Sequence, residues 1–114
     1  MILSPYFCRY LEPGQYYGIG YGALVPASEV ENILTAGKSV SCESGAEAAI
    51  MATALSMATG EAAGTASALS ICDDVPVRSV DVKKLREALR RQGALLEPEI
   101  LPEAQKYDEY IFTY

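Results

Sequence analysis

Lys38 is the side chain best placed for chemistry in this chain. It follows Gly37 at the end of a short apolar run, residues 32–36, and opens a polar loop that holds Ser39, Ser41, Cys42, Glu43 and Ser44. Ligands of open α/β folds collect outside the carboxyl ends of strands. A glycine and a lysine between a strand and a small-residue helix therefore suit an anionic group. The serines have no base to activate them, because the chain contains no histidine. That excludes Ser-His-Asp and Cys-His catalysis within the chain, and zinc sites of the Cys2His2 type. Glu43, Glu47 and Glu61 lie near glycine-rich turns and read as solvated or capping carboxylates, not as general bases. Cys8, Cys42 and Cys72 form no CxxC pair, the pattern of free thiols in a reducing cytoplasm. Spacing assembles neither a catalytic pair nor a metal site.

The elements that must position these residues are few. Residues 1–22 are rich in tyrosine and glycine. Glu12, Pro13, Gly14 and Gln15 give a turn signal between β-formers, which predicts a hairpin of roughly 6–11 and 16–25. Residues 32–36 read as a short buried strand. From Ala46 to about Cys72 the composition is helical, with ten alanines in the 23 residues from Ala46 to Ala68, and the start lies either at Ala46 or near Thr53. Gly60 and Gly64 stand one turn apart in that helix and predict close backbone packing against a sheet or another helix. Val82, Leu85, Leu89 and Leu95 suggest a second, amphipathic helix from about 81 to 92, stopped by Gly93. Arg86, Arg90 and Arg91 near its end suit the helix dipole and read as a solvated face. Residues 97–114 form an acidic, tyrosine-containing tail. The expected fold class is α+β within one partial domain.

Composition sets the outer limits. The 114 residues are 50% hydrophobic and 21% charged, ordinary for a globular chain, but sixteen of them are alanine, so large aliphatic bulk is scarce. Nine basic against fifteen acidic residues leave a net charge of −6, which disfavours nucleic acid as the main partner. Met1 to Leu11 has no basic leader and is broken by Pro5, and no window holds 18 uninterrupted apolar residues. Neither a signal peptide nor a membrane span is expected, and the expected location is the cytoplasm.

Three runs in fixed order carry a resemblance: YGIGYGALVP over 17–26, VENILTAGK over 30–38 and MATGEAAGTASAL over 57–69. VDVKKL over 80–85 and RQGAL over 91–95 follow in the same order. Together, across residues 17–96, they resemble the C-terminal end of FAD-dependent oxidoreductases. The resemblance implies that FAD is the cofactor and that residues 32–36 form an edge of its binding sheet. It places Gly37 and Lys38 at the ribityl chain, and Met51, Ala52 and Thr53 along the flavin ring. There, backbone N–H groups and a helix dipole would stabilise anionic reduced flavin.

The departures are specific. The family's arginine before the helix falls on Met51, its proline on Ala54 and its loop histidine on Ser44, and its AGR reads AGK here. The chain has no GxGxxG, since Gly18, Gly20 and Gly22 are not followed by a helix. No catalytic residue is assigned. Two readings follow. In one, the chain is the C-terminal portion of a flavin oxidoreductase and needs a partner chain that carries the dinucleotide-binding half. In the other, it is a catalytically inactive module that binds or self-associates as a homo-oligomer.

Overall fold

The computed structural model describes residues 18–27, 30–43, 46 and 50–96. Among them are two α-helices, α1 over Thr53–Asp73 and α2 over Val82–Arg91. Short 3-10 turns occur at Tyr21–Leu24, Gly37–Ser39 and Val77–Ser79. The described residues form no β-strand, so this part of the chain is helical and the α+β expectation is corrected.

The reason lies in where the backbone hydrogen bonds go. Gly18, Gly20 and Gly22 weaken a strand, since glycine offers no side chain to pack and keeps high backbone freedom. Residues 20–25 close on themselves instead, with Ala23 N–H donating to Gly20 O and Val25 N–H to Gly22 O. The first strand of the expected hairpin and the acidic tail lie outside the described residues. At 32–36 the chain is extended but not in a ladder. Asn32 sits in the left-handed region (φ 62°), which breaks the run at its first residue. Thr35 N–H donates to Leu24 O at 2.7 Å, and Ser41 N–H to Ala23 O at 2.9 Å. These single crossings tie the segment down without pairing it into a sheet. An apolar run of this length fits a buried strand and an extended connector equally well.

Helix α1 begins at Thr53, the later of the two expected starts. It ends where Asp74 turns left-handed (φ 54°). Asp74 N–H then reaches Ile71 O and Val75 N–H reaches Ser70 O, the paired bonds of a Schellman close. The Ser70 hydroxyl donates to Val75 O and holds the same corner. Helix α2 opens on Asp81, whose carboxylate accepts from Lys83 N–H at 2.8 Å. It closes as α1 does, with Gly93 (φ 90°) in the left-handed position, Gly93 N–H on Arg90 O and Ala94 N–H on Leu89 O.

The two helices run antiparallel. Lys84, early in α2, pairs with Asp73 at the end of α1 at 2.9 Å, while Gln92, just past α2, meets Thr65 in the middle of α1. Their seam is one core cluster of Ala66, Val80, Leu85 and Leu89, joined at its margin by Tyr21, Leu34 and Leu69. A second cluster of Leu24, Val40 and Ile50 packs on the N-terminal half of α1, against Leu55, Ala62 and Ala63. The amphipathic reading of α2 holds at Leu85 (3% exposed) and Leu89 (5%). It fails at Val82 and Leu95, which are exposed, while Val80 takes the inward place before the helix.

The expected close packing at Gly60 and Gly64 is also corrected. Both are exposed, and a Cβ built on either meets nothing within 4 Å. They share the outer face of α1 with Met57 (71% exposed) and Ile71 (81%). Helix α1 is thus apolar on both sides but covered on one. Among its 21 residues only Glu61 and Asp73 are charged.

Candidate functional site

Gly37 is the pivot of the region around Lys38. Its φ of 63° lies where side chains other than glycine are strained, so the AGK turn needs glycine at this position. The turn is held against α1. Gly37 N–H donates to Thr59 Oγ1 at 2.9 Å, and a Cβ at Gly37 would stand 3.6 Å from Ser56 Cβ, an ordinary contact. The requirement for glycine is therefore conformational, not a matter of space.

Thr59 is the residue that the sequence reading missed. It is buried, its hydroxyl donates to Leu55 O at 2.8 Å, and its oxygen accepts from Gly37. Ser56 and Thr59 stand three apart in an otherwise alanine- and glycine-rich stretch. That spacing puts two hydroxyls on one face, of which Thr59 meets the Gly37 backbone while Ser56 donates to Ala52 O of its own helix.

Ser56 lies one turn inside α1 from Thr53, about 4.5 Å along the axis. The clamp at Ser56 and Thr59 therefore brings Gly37 and Lys38 to the same end of α1 that carries Met51, Ala52 and Thr53. Lys38, Met51, Ala52 and Thr53 are all exposed there. Ala52 takes the cap position with no side-chain hydrogen bond, so the first-turn N–H groups of α1 receive no cap from it. Among the described residues no group of histidine, cysteine, aspartate or glutamate is arranged to hold a metal ion. Cys42 and Cys72 are free thiols on the surface, and Cys8 lies outside the described residues.

The fit of this edge to a flavin is partial. Small residues, a left-handed glycine turn, an exposed lysine and an uncapped helix start suit a polyhydroxylated, anionic cofactor. Against that, the Gly37 N–H is already engaged by Thr59 and the described residues form no phosphate loop. Among the described residues, this edge offers one side to such a group.

Away from this edge, Tyr21 ties the first 3-10 turn to the third, its hydroxyl donating to Val77 O. Burial pushes the Tyr21 phenol above its ordinary pKa. The hydrogen bond to Asp73 raises Lys84, with the Asp73 charge adding to it.

Comparison with known protein families decides the descent of the chain. A family model described as FAD dependent oxidoreductase matches residues 6–89. The chain belongs to that family. The match spans both core clusters, the Gly37 turn, all of α1 and most of α2. Comparisons with curated proteins and with solved structures gave no match. Among the described residues of this family member, no helix is long and apolar enough to cross a membrane.

Proposed function

We propose that this chain is the C-terminal portion of a flavin-dependent oxidoreductase. It supplies the ribityl- and flavin-facing edge of a FAD site and is not competent alone. The observation that carries this reading is the convergence of Gly37, Lys38 and Met51–Thr53 at one end of α1, within a segment matched by the family. In this reading the left-handed turn at Gly37 sets the backbone beside the ribityl chain. Lys38 provides a positive charge beside it. The first turn of α1 offers N–H groups and the positive end of its dipole to the reduced flavin. When bound, FAD supplies the redox chemistry, while this chain's residues position it and shield one side. The phosphate-binding half comes from a partner chain that begins strand-GxGxxG-helix.

The outer face of α1 supports the need for a partner. An exposed apolar strip of this length, with Met57 and Ile71 open to solvent, is the kind of surface that another chain covers. Residues 32–36 and 50–68 form the proposed interface, in a heterocomplex when the flavin-domain chain is present and in a homodimer when it is not. One observation favours the alternative of an inactive binding module: Met51 stands where the family has arginine, which removes a group that would polarise flavin or substrate.

Fragment complementation tests the proposal. A flavin-domain chain of the family, expressed without its own C-terminal segment, is purified with and without this chain. The expected result is a complex that retains FAD better than the flavin domain alone, with the gain weakened by Gly37→Val. Equal retention with and without this chain would favour the inactive module.

A further inference from the structure

The exposed strip of α1 reads the same in both directions. Met57, Gly60, Gly64, Ala68 and Ile71 are all exposed and follow one another at intervals of three, four, four and three residues, the spacing of a single helix face. Bulky side chains stand at both ends, small ones lie between, and Gly64 is the centre. A row that matches its own reverse is what an interface between two identical surfaces requires. With Gly64 set against Gly64 of a second copy, Gly60 falls opposite the partner's Ala68 and Met57 opposite the partner's Ile71. The small residues then let the two backbones approach where the helices cross, and Met57 and Ile71 fill the widening gap on either side.

We propose that the occupant of this strip is α1 of a second copy, packed antiparallel with Gly64 on the twofold axis. Charge complementarity gives the orientation independently of side-chain size. The N-terminal end of α1 has no acidic residue in its first turn and no side-chain cap, and the Gly37–Thr59 bond holds exposed Lys38 near it. The C-terminal end has no basic residue in its last turn. There Lys84 pairs with Asp73, and Asp74 beside it is exposed. An antiparallel pair brings these opposite ends together, and the Gly64 axis sets the partner's Asp74 level with Ala54, in the uncapped first turn where a carboxylate is favoured. A parallel pair would stack like ends and place Glu61 beside the partner's Glu61. The antiparallel register holds those two carboxylates about 9 Å apart along the axis. The pairing stands without the flavin reading, while one consequence rests on it. The homodimer occupies the strip and the helix start that a flavin-domain chain would use, so the two assemblies exclude each other.

Disulfide trapping in the full chain tests orientation and register together. In a background with Cys8, Cys42 and Cys72 replaced by serine, Met57→Cys chains and Ile71→Cys chains are mixed and oxidised. The expected product is the mixed 57–71 disulfide, at several-fold the yield of either homodisulfide, because like positions stand about 21 Å apart along the axis of an antiparallel pair. Gly64→Lys tests the axis itself. A Cβ at Gly64 meets nothing within 4 Å in the single chain, so helical circular dichroism should persist. Sedimentation equilibrium should show its dimerisation weakened at least about tenfold, since like charges meet on the twofold. Asp74→Asn keeps a residue that tolerates the left-handed turn. It should weaken the dimer by about two- to five-fold at low salt and by less at high salt. The dimer locked by the 57–71 disulfide should fail to pair with a flavin-domain chain that the reduced protein binds; equal pairing would assign the two assemblies to separate faces. Predominant homodisulfides, a parent chain that stays monomeric at high micromolar concentration, or Gly64→Lys dimerising as the parent does would each overturn the proposal. None of these three readouts involves flavin, so such a failure is separate from a failure to retain FAD in the complementation assay.

Discussion

Thr59 shows how one hydroxyl shapes the candidate site. It satisfies Gly37 N–H while its own proton goes to Leu55 O. Thr59→Val keeps the shape and removes the acceptor, leaving a partly buried N–H unpaired at a cost of about 1–3 kcal/mol. Thr59→Ser retains the oxygen and is expected to melt much closer to the parent. Thermal denaturation of both variants checks this; equal loss in the two would mean that the methyl packing matters and the hydrogen bond does not. Gly37→Ala is expected to cost about 1–2 kcal/mol through its left-handed backbone. Among the described residues, Tyr21 and Lys84 contribute to the alkaline pH response. Both have folded pKa values above their ordinary values, so the stability they contribute is present below pH about 10 and lost as pH rises through the raised values. Chemical denaturation from pH about 8 to about 11, spanning the ordinary values of both groups, is expected to show that alkaline loss, and Tyr21→Phe to reduce it. A stability rising with pH across the upper part of that range would contradict the sign.

At the scale of elements, α2 was legible in the sequence and the region before α1 was not. Helix α2 has strong local signals: an Asp81 cap, Leu85 and Leu89 four apart, and Gly93 at the stop. Local chemistry decides each of these. Residues 20–36 have no such signals. Their apolar and glycine content fits a strand, but a strand exists only with a partner ladder, and sequence spacing does not reveal whether one is present. The family resemblance itself pointed to a sheet edge here, which the described residues do not form. The Gly37 turn was legible as a glycine position, while its hold on α1 through Thr59 depends on a contact 22 residues away. Gly60 and Gly64 misled for a related reason: small residues permit close approach without showing that anything approaches. With open space at its Cβ in the single chain, Gly64→Ala is expected to stabilise the monomer, at concentrations too low for self-association, by about 0.5–1 kcal/mol through helix propensity. A destabilisation measured by thermal melt at those concentrations would show that this face is covered within the monomer. Leu89→Ala removes a buried side chain from the α1–α2 seam and is expected to cost about 2–5 kcal/mol.

For the whole molecule, the balance of surfaces argues for assembly. The buried hydrophobic residues described are few and mostly of middle size, and the outer strip of α1 remains apolar and open. Light scattering on a size-exclusion column is expected to give a homodimer for the chain alone; a lone 12.2 kDa species would favour a self-contained domain. FAD titration tests the central claim most directly, that this chain lines one side of a flavin site and cannot hold FAD unaided. Flavin fluorescence is followed as the cofactor is added at micromolar concentration, first to the chain alone and then to its complex with a flavin-domain chain. The expected result is no binding to the chain alone and stoichiometric FAD in the complex. Stoichiometric FAD bound by the chain alone, giving a yellow preparation, would contradict it.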